Sequence, residues 1–359
     1  MDINKKNPFM KDGTLDITAS INKVVIGKMP TDVVHQNLAG KSAIDIFSTN
    51  LMIEEIKKHA VELSLSRFSM EEKMLPHYLE ECLSSDQVEV RRTATDILRI
   101  FGERLAVLFL CLQQGNRSDR EARPDWTTEH WDYWKQVQTV ILVGGLANSY
   151  LGETLKCYAE KVFFDAGEPG YQLILGNDSA YAGLRGCAHY LQHTDVTKVN
   201  LLFDFGQTYT KRSYVRTNQM GKRDIRILDN ILSKHVAWDV KEPVLEQQEA
   251  VLLHHSFVQI ILTTIEEVKN KGLQIGEEII ISIANYIKQG CIVNRGGYGK
   301  LRLVADNYAL CLVHELQEAT GQCYKITMVH DGTAMAAEYT GYKDAVCISL
   351  GTAFGVGFP

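Results

Sequence analysis

Long hydrophobic runs are missing from this chain. The longest uninterrupted apolar stretch is Leu105–Leu112, well short of the roughly 18 residues a membrane helix needs. A basic excess is missing too. Lys and Arg number 38 against 44 Asp and Glu, a net charge of −6, so no cationic stripe is available to displace counterions from a nucleic acid. Paired cysteines are also missing. Cys82, Cys111, Cys157, Cys187, Cys291, Cys311, Cys323 and Cys347 include no CxxC; they read as reduced core thiols rather than as a zinc knuckle or a disulfide framework. No low-complexity tract or long Gly/Ser linker interrupts the chain, and Met1–Gly13 is polar, without a signal-peptide core. The expectation is a cytoplasmic protein with neither a membrane nor a nucleic-acid partner.

What is present is a globular composition. Apolar residues make up 45% and charged residues 23% of 359, enough for packed cores in two domains or lobes. Helices dominate the first third. Leu51–Ser66 is amphipathic, and Ser84 with Gln87 fits a capping box. Behind it, Ala94, Ile97, Leu98, Phe101, Leu105, Leu108 and Leu112 recur at three- and four-residue steps, up to a stop at Gly115. The charged stretch Gln114–Glu129 reads as a surface loop, which Trp126, Trp131 and Trp134 clamp onto the body.

Short β-like runs follow: Thr139–Val143, Val199–Phe203, Ile279–Ile283, Ile326–Val329 and Ala345–Leu350. Helical stretches such as Val244–Lys269 and Asn307–Ala319 separate several of them. Strands alternating with helices predict an α/β fold, with ligands at the loops that end the strands.

Four such loops carry chemistry. In Asp204-Phe205-Gly206-Gln207-Thr208, Gly206 permits close backbone approach to a phosphate, Thr208 offers a hydroxyl, and Asp204 is a carboxylate suited to hydrated Mg²⁺. A hairpin turn explains the same residues. Gly351 and Thr352 open a second glycine-dense turn, which reads either as a tight hairpin or as a phosphate cradle of backbone N–H groups. Gly144-Gly145-Leu146 leaves room for a flat base or for close helix–strand packing. In His330-Asp331-Gly332-Thr333, Asp331 is placed either to accept a hydroxyl proton or to cap a helix. Asp178 reads as the N-cap of the helix Ala180–Ala188, and Lys211 as an exposed charge.

Together these loops resemble the acetate/sugar kinase, heat-shock chaperone and actin superfamily, and within it the bacterial ROK (repressor, open reading frame, kinase) sugar kinases. Asp204–Thr208 is similar to the first phosphate motif, Ser349–Gly355 to the second, Gly144–Ala147 to the adenosine motif, and His330-Asp331 to the Asn-Asp pair with the catalytic base. Asn294–Tyr298 is similar to the sugar loop. The motifs follow the family's order only when the chain is read as a circle from Val199, through Pro359 and Met1, to Gly144. The break then falls in a hairpin, with Phe354–Phe358 as one arm and Thr14–Thr18 as the arm returning after the turn Lys11-Asp12-Gly13.

The resemblance implies a two-lobed, actin-like (ribonuclease H-like) ATPase fold with a nucleotide cleft between lobes, circularly permuted. An exchanged homodimer is the rival arrangement. The larger lobe is expected to comprise 1–178 plus 326–359, and the smaller 179–325. The implied activity is ATP- and Mg²⁺-dependent phosphorylation of a sugar-like hydroxyl. Asp331 is the base and Asp204 the metal carboxylate. Gly206, Thr208, Gly351 and Thr352 hold phosphates, and Gly144, Gly145 and Leu146 face adenosine. Asn294, Tyr298, His330 and Lys28 meet the acceptor.

Three departures stand out. Val25-Ile26-Gly27-Lys28 occupies the place of the Glu-x-Gly-His sugar clamp, Ala353 that of a glycine, and His330 that of an asparagine. They keep a second function open, a non-catalytic nucleotide- or sugar-binding sensor or scaffold.

Overall fold

The structure is a computed structural model that describes residues 7–65, 71–192, 195–234, 242–293 and 296–359. The chain opens on a hairpin of β1 (Met10–Lys11) and β2 (Thr14–Leu15). Helices α1 (Ala43–Ile46), α2 (Thr49–Lys58), α3 (Leu75–Cys82), α4 (Val88–Gln114), α5 (Arg117–Glu121) and α6 (Thr128–Gln136) follow. Next come β3 (Thr139–Val143), α7 (Ser149–Asp165), β4 (Gln172–Leu175) and α8 (Ala182–Cys187). Strands β5 (Val199–Phe205), β6 (Tyr209–Thr217) and β7 (Arg223–Leu232) lead to α9 (Pro243–Asn270), then β8 (Ile275–Ile283) and the small pair β9 (Ile287–Lys288) and β10 (Cys291–Ile292). The chain ends with α10 (Tyr308–Thr320), β11 (Lys325–His330), α11 (Asp331–Ala337), β12 (Ala345–Ser349) and β13 (Gly355–Gly357). Among the described residues no helix is long and apolar enough to cross a membrane.

The architecture is α/β with two compact units. The first comprises Thr18–Ala180 and Tyr342–Val356 with the described residues up to Phe9; the second comprises Met10–Ile17, Tyr181–Gly341 and Gly357–Pro359. The expected boundary gave 326–359 to the lobe of the N-terminal helices. The structure divides that segment at Gly341, because β11 pairs in parallel with β8 along its whole length and draws α11 into the second unit.

In the first unit, a four-stranded sheet has the order β13-β12-β3-β4, and β3 is parallel to both β12 and β4. Every residue of β3 is buried, as expected of a strand covered on both faces. Helix α4 buries the periodic apolar positions read from the sequence. Gly115 ends it in a left-handed conformation (φ +51°), which glycine adopts at little cost. The Ser84–Gln87 capping box does not form. Gln87 is the N-cap, and the turn before it is closed by Ser85, whose Oγ accepts from Gln87 N at 3.2 Å. The stretch Gln114–Glu129 is partly helical, since Asn116 and Asp119 cap α5 reciprocally. The tryptophan clamp does form: Trp126, Trp131 and Trp134 are buried, and Trp126 Nε1 donates to Thr18 O at 2.7 Å.

In the second unit, the five-stranded sheet has the order β11-β8-β5-β6-β7. β11, β8 and β5 are mutually parallel, whereas β5, β6 and β7 run antiparallel. Strands β4, β6 and β7 were not read from the sequence. Six of the ten residues of β7 are exposed, so it lacks the apolar run that marks a buried strand. Helices α9 and α10 contribute Leu253, Phe257, Ile261, Ile265, Leu312 and Leu316 to a core built on β5 and β8. Helices α8 and α11 pack through glycine, since a Cβ on Gly186 would lie 1.6 Å from Ala334 O; Gly357 of β13 approaches α11 as closely, a Cβ there lying 1.9 Å from Gly332 O.

The expected hairpin across the chain break is not formed by the described strands. Asp12 and Gly13 both take positive φ, +51° and +73°, which turns β2 back onto β1 in a two-residue loop. β13 instead neighbours β12. Nor do all eight cysteines lie in a core. All are free; Cys82, Cys111, Cys187 and Cys347 are buried, Cys157 and Cys323 are exposed, and Cys291 and Cys311 lie between.

Candidate functional site

The second unit assembles its site by strand register. Asp204 near the end of β5 stands opposite Lys211 of β6 and beside Ser282 of β8. Residues paired across neighbouring strands project on the same face, so three polar side chains from three segments meet. Lys211 Nζ lies 3.1 Å from Asp204 Oδ2, and Ser282 Oγ donates to Asp204 Oδ1 at 3.0 Å. Asp204 and Ser282 are both buried. Lys211 is therefore not the exposed charge expected of it; it neutralises Asp204. Gly183 of α8 abuts the same carboxylate, and a Cβ there would lie 2.8 Å from Asp204 Oδ2.

Asp331 follows directly on β11 as the first residue of α11, with His330 at the N-cap. Its Oδ1 accepts from Gly332 N at 2.7 Å and stands 3.1 Å from His330 Nε2. The His330 ring is buried and stacks on Tyr286, with centroids 4.4 Å apart. His330 Nδ1 is buried without a hydrogen-bond partner among the described residues. Burial lowers the pKa of His330, against the opposing pull of Asp331. Burial likewise raises Asp331; His330 opposes the rise, and the charge of Asp204 adds to it. Asp204 and Asp331 stand at the ends of parallel strands on either side of β8, and Lys211 opposes the rise that Asp204 adds.

The turn after Asp204 is a tight hairpin. Gly206 N donates to Tyr209 O at 3.2 Å, and a Cβ on Gly206 would lie 3.0 Å from that carbonyl oxygen. Gly206 O accepts from Ser233 Oγ at 2.7 Å and from Tyr298 OH at 2.9 Å. Tyr298 is 2% exposed, and burial pushes its hydroxyl pKa up to about 12. Expected to contact an acceptor, it instead fastens the 296–298 turn to the Gly206 turn. Thr208 is exposed. Asn294 lies outside the described residues.

The other predicted residues belong to the first unit. Gly144–Leu146 and Gly351–Thr352 leave the ends of the adjacent parallel strands β3 and β12. Leu350 O accepts from Leu146 N at 3.1 Å, and Gly144 (φ +92°) admits that carbonyl where a Cβ would lie 2.7 Å away. Leu146 is 3% exposed, so its side chain is packed rather than offered to a base. At Gly145 a Cβ would meet nothing within 4 Å, and at Gly351 nothing nearer than 3.8 Å, so open space lies against both backbones. Lys28 is exposed, at the end of a loop held by Gly27 N donating to Asp119 Oδ1 at 2.8 Å. Asp178 does not cap α8. It takes a left-handed conformation (φ +45°), and the N-cap of α8 is Tyr181.

Sequence reasoning missed Ser282, Tyr286 and Gly183 as parts of this site. Ser282 sits inside an isoleucine-rich strand, and only the β5–β8 register brings its hydroxyl to Asp204. No protein-family model matches the sequence, and no curated protein is similar to it at a significant level.

Proposed function

We propose that this chain transfers the γ-phosphoryl group of ATP to a hydroxyl of a sugar or sugar derivative. The observation that carries the reading is the placement of two carboxylates at the same ends of parallel strands flanking β8, Asp204 on β5 and Asp331 directly after β11, with Lys211 and His330 beside them. Asp331 is the proton acceptor. Its raised pKa makes it a stronger base than an ordinary carboxylate, which suits removal of a hydroxyl proton as attack proceeds. His330, held neutral by burial, stands beside this carboxylate with Nε2 3.1 Å from Asp331 Oδ1.

Bound MgATP would supply the transferred group and the charge neutralisation on which phosphoryl transfer depends. The residues fit it. Asp204 offers carboxylate oxygens of the kind Mg²⁺ takes through water. Asp204 and Thr208 would position the metal–phosphate end, with Gly206 fixing the turn between them. In the first unit by itself, Gly144, Gly145, Gly351 and Thr352 end the parallel strands β3 and β12 and carry the stretches that resemble the adenosine and second phosphate motifs. Fold-level support comes from the second sheet. Three antiparallel strands followed by two parallel ones reached through helices suit a ribonuclease H-like, actin-like unit. Grouping of Met10–Ile17 with Gly357–Pro359 in one unit is compatible with a permuted order.

The test is ADP release across a panel of sugars, sugar acids and sugar phosphates. Acceptor-dependent turnover is expected to collapse in Asp331→Asn while ATP binding survives. One observation favours a non-catalytic sensor: Lys211 already balances the Asp204 charge. Nucleotide binding without turnover on any acceptor selects that reading.

A further inference from the structure

A second cluster of donor atoms lies in the same unit, on the helices. His254 of α9 is 5% exposed. Cys311 and Glu315 of α10 are four residues apart and so share a helix face. One ligand atom from each of the three lies within 4.8 Å of the others. We propose that His254, Cys311 and Glu315 bind a borderline-soft divalent cation, of which Zn²⁺ is the type, and that it pins α9 to α10.

The donor types argue for this cation. Imidazole, thiolate and carboxylate together suit Zn²⁺ and disfavour Mg²⁺. With metal–ligand distances of about 2.0–2.3 Å, tetrahedral donors stand roughly 3.3–3.8 Å apart. His254 Nε2 and Glu315 Oε1 are already 3.5 Å apart. Drawing in the thiol requires a shift of about 1 Å, which rotation of the exposed Glu315 and half-buried Cys311 side chains provides. The outer shell also fits. His254 Nδ1 lies 3.0 Å from Tyr308 OH; with its proton on Nδ1, the ring directs the Nε2 lone pair at the cluster, as metal-bound histidines do. The fourth position falls to water on the exposed Glu315 side. A bare His254–Glu315 contact does not account for the third donor, since Cys311 reaches the same point from another turn of α10. The site is independent of the kinase reading, because it uses none of those residues.

The experiment takes the full chain, stripped with a chelator, and titrates Zn²⁺ against a chromophoric competitor, with Co²⁺ as the spectroscopic probe. Stoichiometric Zn²⁺ binding is expected, together with a thiolate-to-cobalt charge-transfer band. Cys311→Ser should abolish the band, Tyr308→Phe should weaken Zn²⁺ binding about 10–100-fold, and loss of Cys311 or Glu315 should weaken it further. Cys323→Ser should behave as the parent. Failure of the parent to compete for Zn²⁺, a cobalt spectrum without the thiolate band, or unchanged affinity in Cys311→Ser overturns the proposal. Should Cys311→Ser not fold, the parent's cobalt spectrum decides alone.

Discussion

Removing the Lys211 ammonium is the most direct probe of how the candidate site is held. At 3.1 Å from Asp204 Oδ2, the attraction amounts to about 5 kcal/mol at an effective dielectric constant near 20, a gross figure before the cost of burying both charges. The net consequence of Lys211→Met is set by what it leaves behind, a carboxylate 9% exposed whose remaining partner is the Ser282 hydroxyl. Stranding a buried charge costs about 3–5 kcal/mol. Because the Lys211 side chain is 24% exposed, water can partly replace it, and about 3 kcal/mol is expected. Asp204→Asn alone should also destabilise, by stranding the lysine. The double variant removes both charges, so a coupling energy of about 2 kcal/mol should appear in the cycle. Urea unfolding gives the three stabilities, and hydrogen exchange of β5 and β8 peptides localises the loss to the second unit. Additivity within about 0.5 kcal/mol would refute the pairing and, with it, the view that Asp204 is balanced within the fold.

Four further outcomes follow from the same geometry. Asp331 has its pKa raised by burial, so the folded state favours its protonated form, and its contribution to stability, present below the unfolded carboxylate pKa, is lost as pH rises through the folded value. Asp331→Asn should therefore be more stable than the parent at neutral pH, with the difference vanishing in acid; because the Asp331 side chain is 27% exposed the effect is modest, and a constant difference from pH 3 to 8 in thermal melts would refute the raised-pKa account. On the proposed phosphoryl transfer, the acid limb of the rate profile should lie above the usual carboxylate range, since only ionised Asp331 accepts a proton. Gly186→Ala should destabilise by about 1–3 kcal/mol or more, despite the better helix propensity of alanine, because its Cβ would fall 1.6 Å from Ala334 O. Gly145→Ala, whose Cβ meets nothing within 4 Å, should stay within about 0.5 kcal/mol of the parent and, on the proposed function, weaken nucleotide binding; both are read by denaturant midpoints and an ATP titration.

The periodicity of α4 and the apolar runs of β3, β5, β8, β11 and β12 were legible because burial on one helix face or both sheet faces writes itself into residue order. The loops that end these strands were legible as well, through glycine and Asp at strand ends. β6 and β7 were not: they alternate or lie exposed, and their pairing is stabilised by backbone hydrogen bonds that carry no residue code. Asp178 and Ser84 misled for a related reason, since a capping residue type fits many turns and only local backbone geometry decides which one caps.

By itself the sequence determined which residues carry charge, hydroxyl and thiol, and which segments bury an apolar face, because composition and period are local properties. Tertiary structure alone decided that Lys211 and Ser282 meet Asp204, that Tyr298 is spent on the Gly206 turn, and that His254 finds Cys311 and Glu315 across two helices. Such meetings depend on strand register and helix packing between segments far apart in the chain, and those are fixed by the sum of many weak contacts that no single stretch of sequence contains.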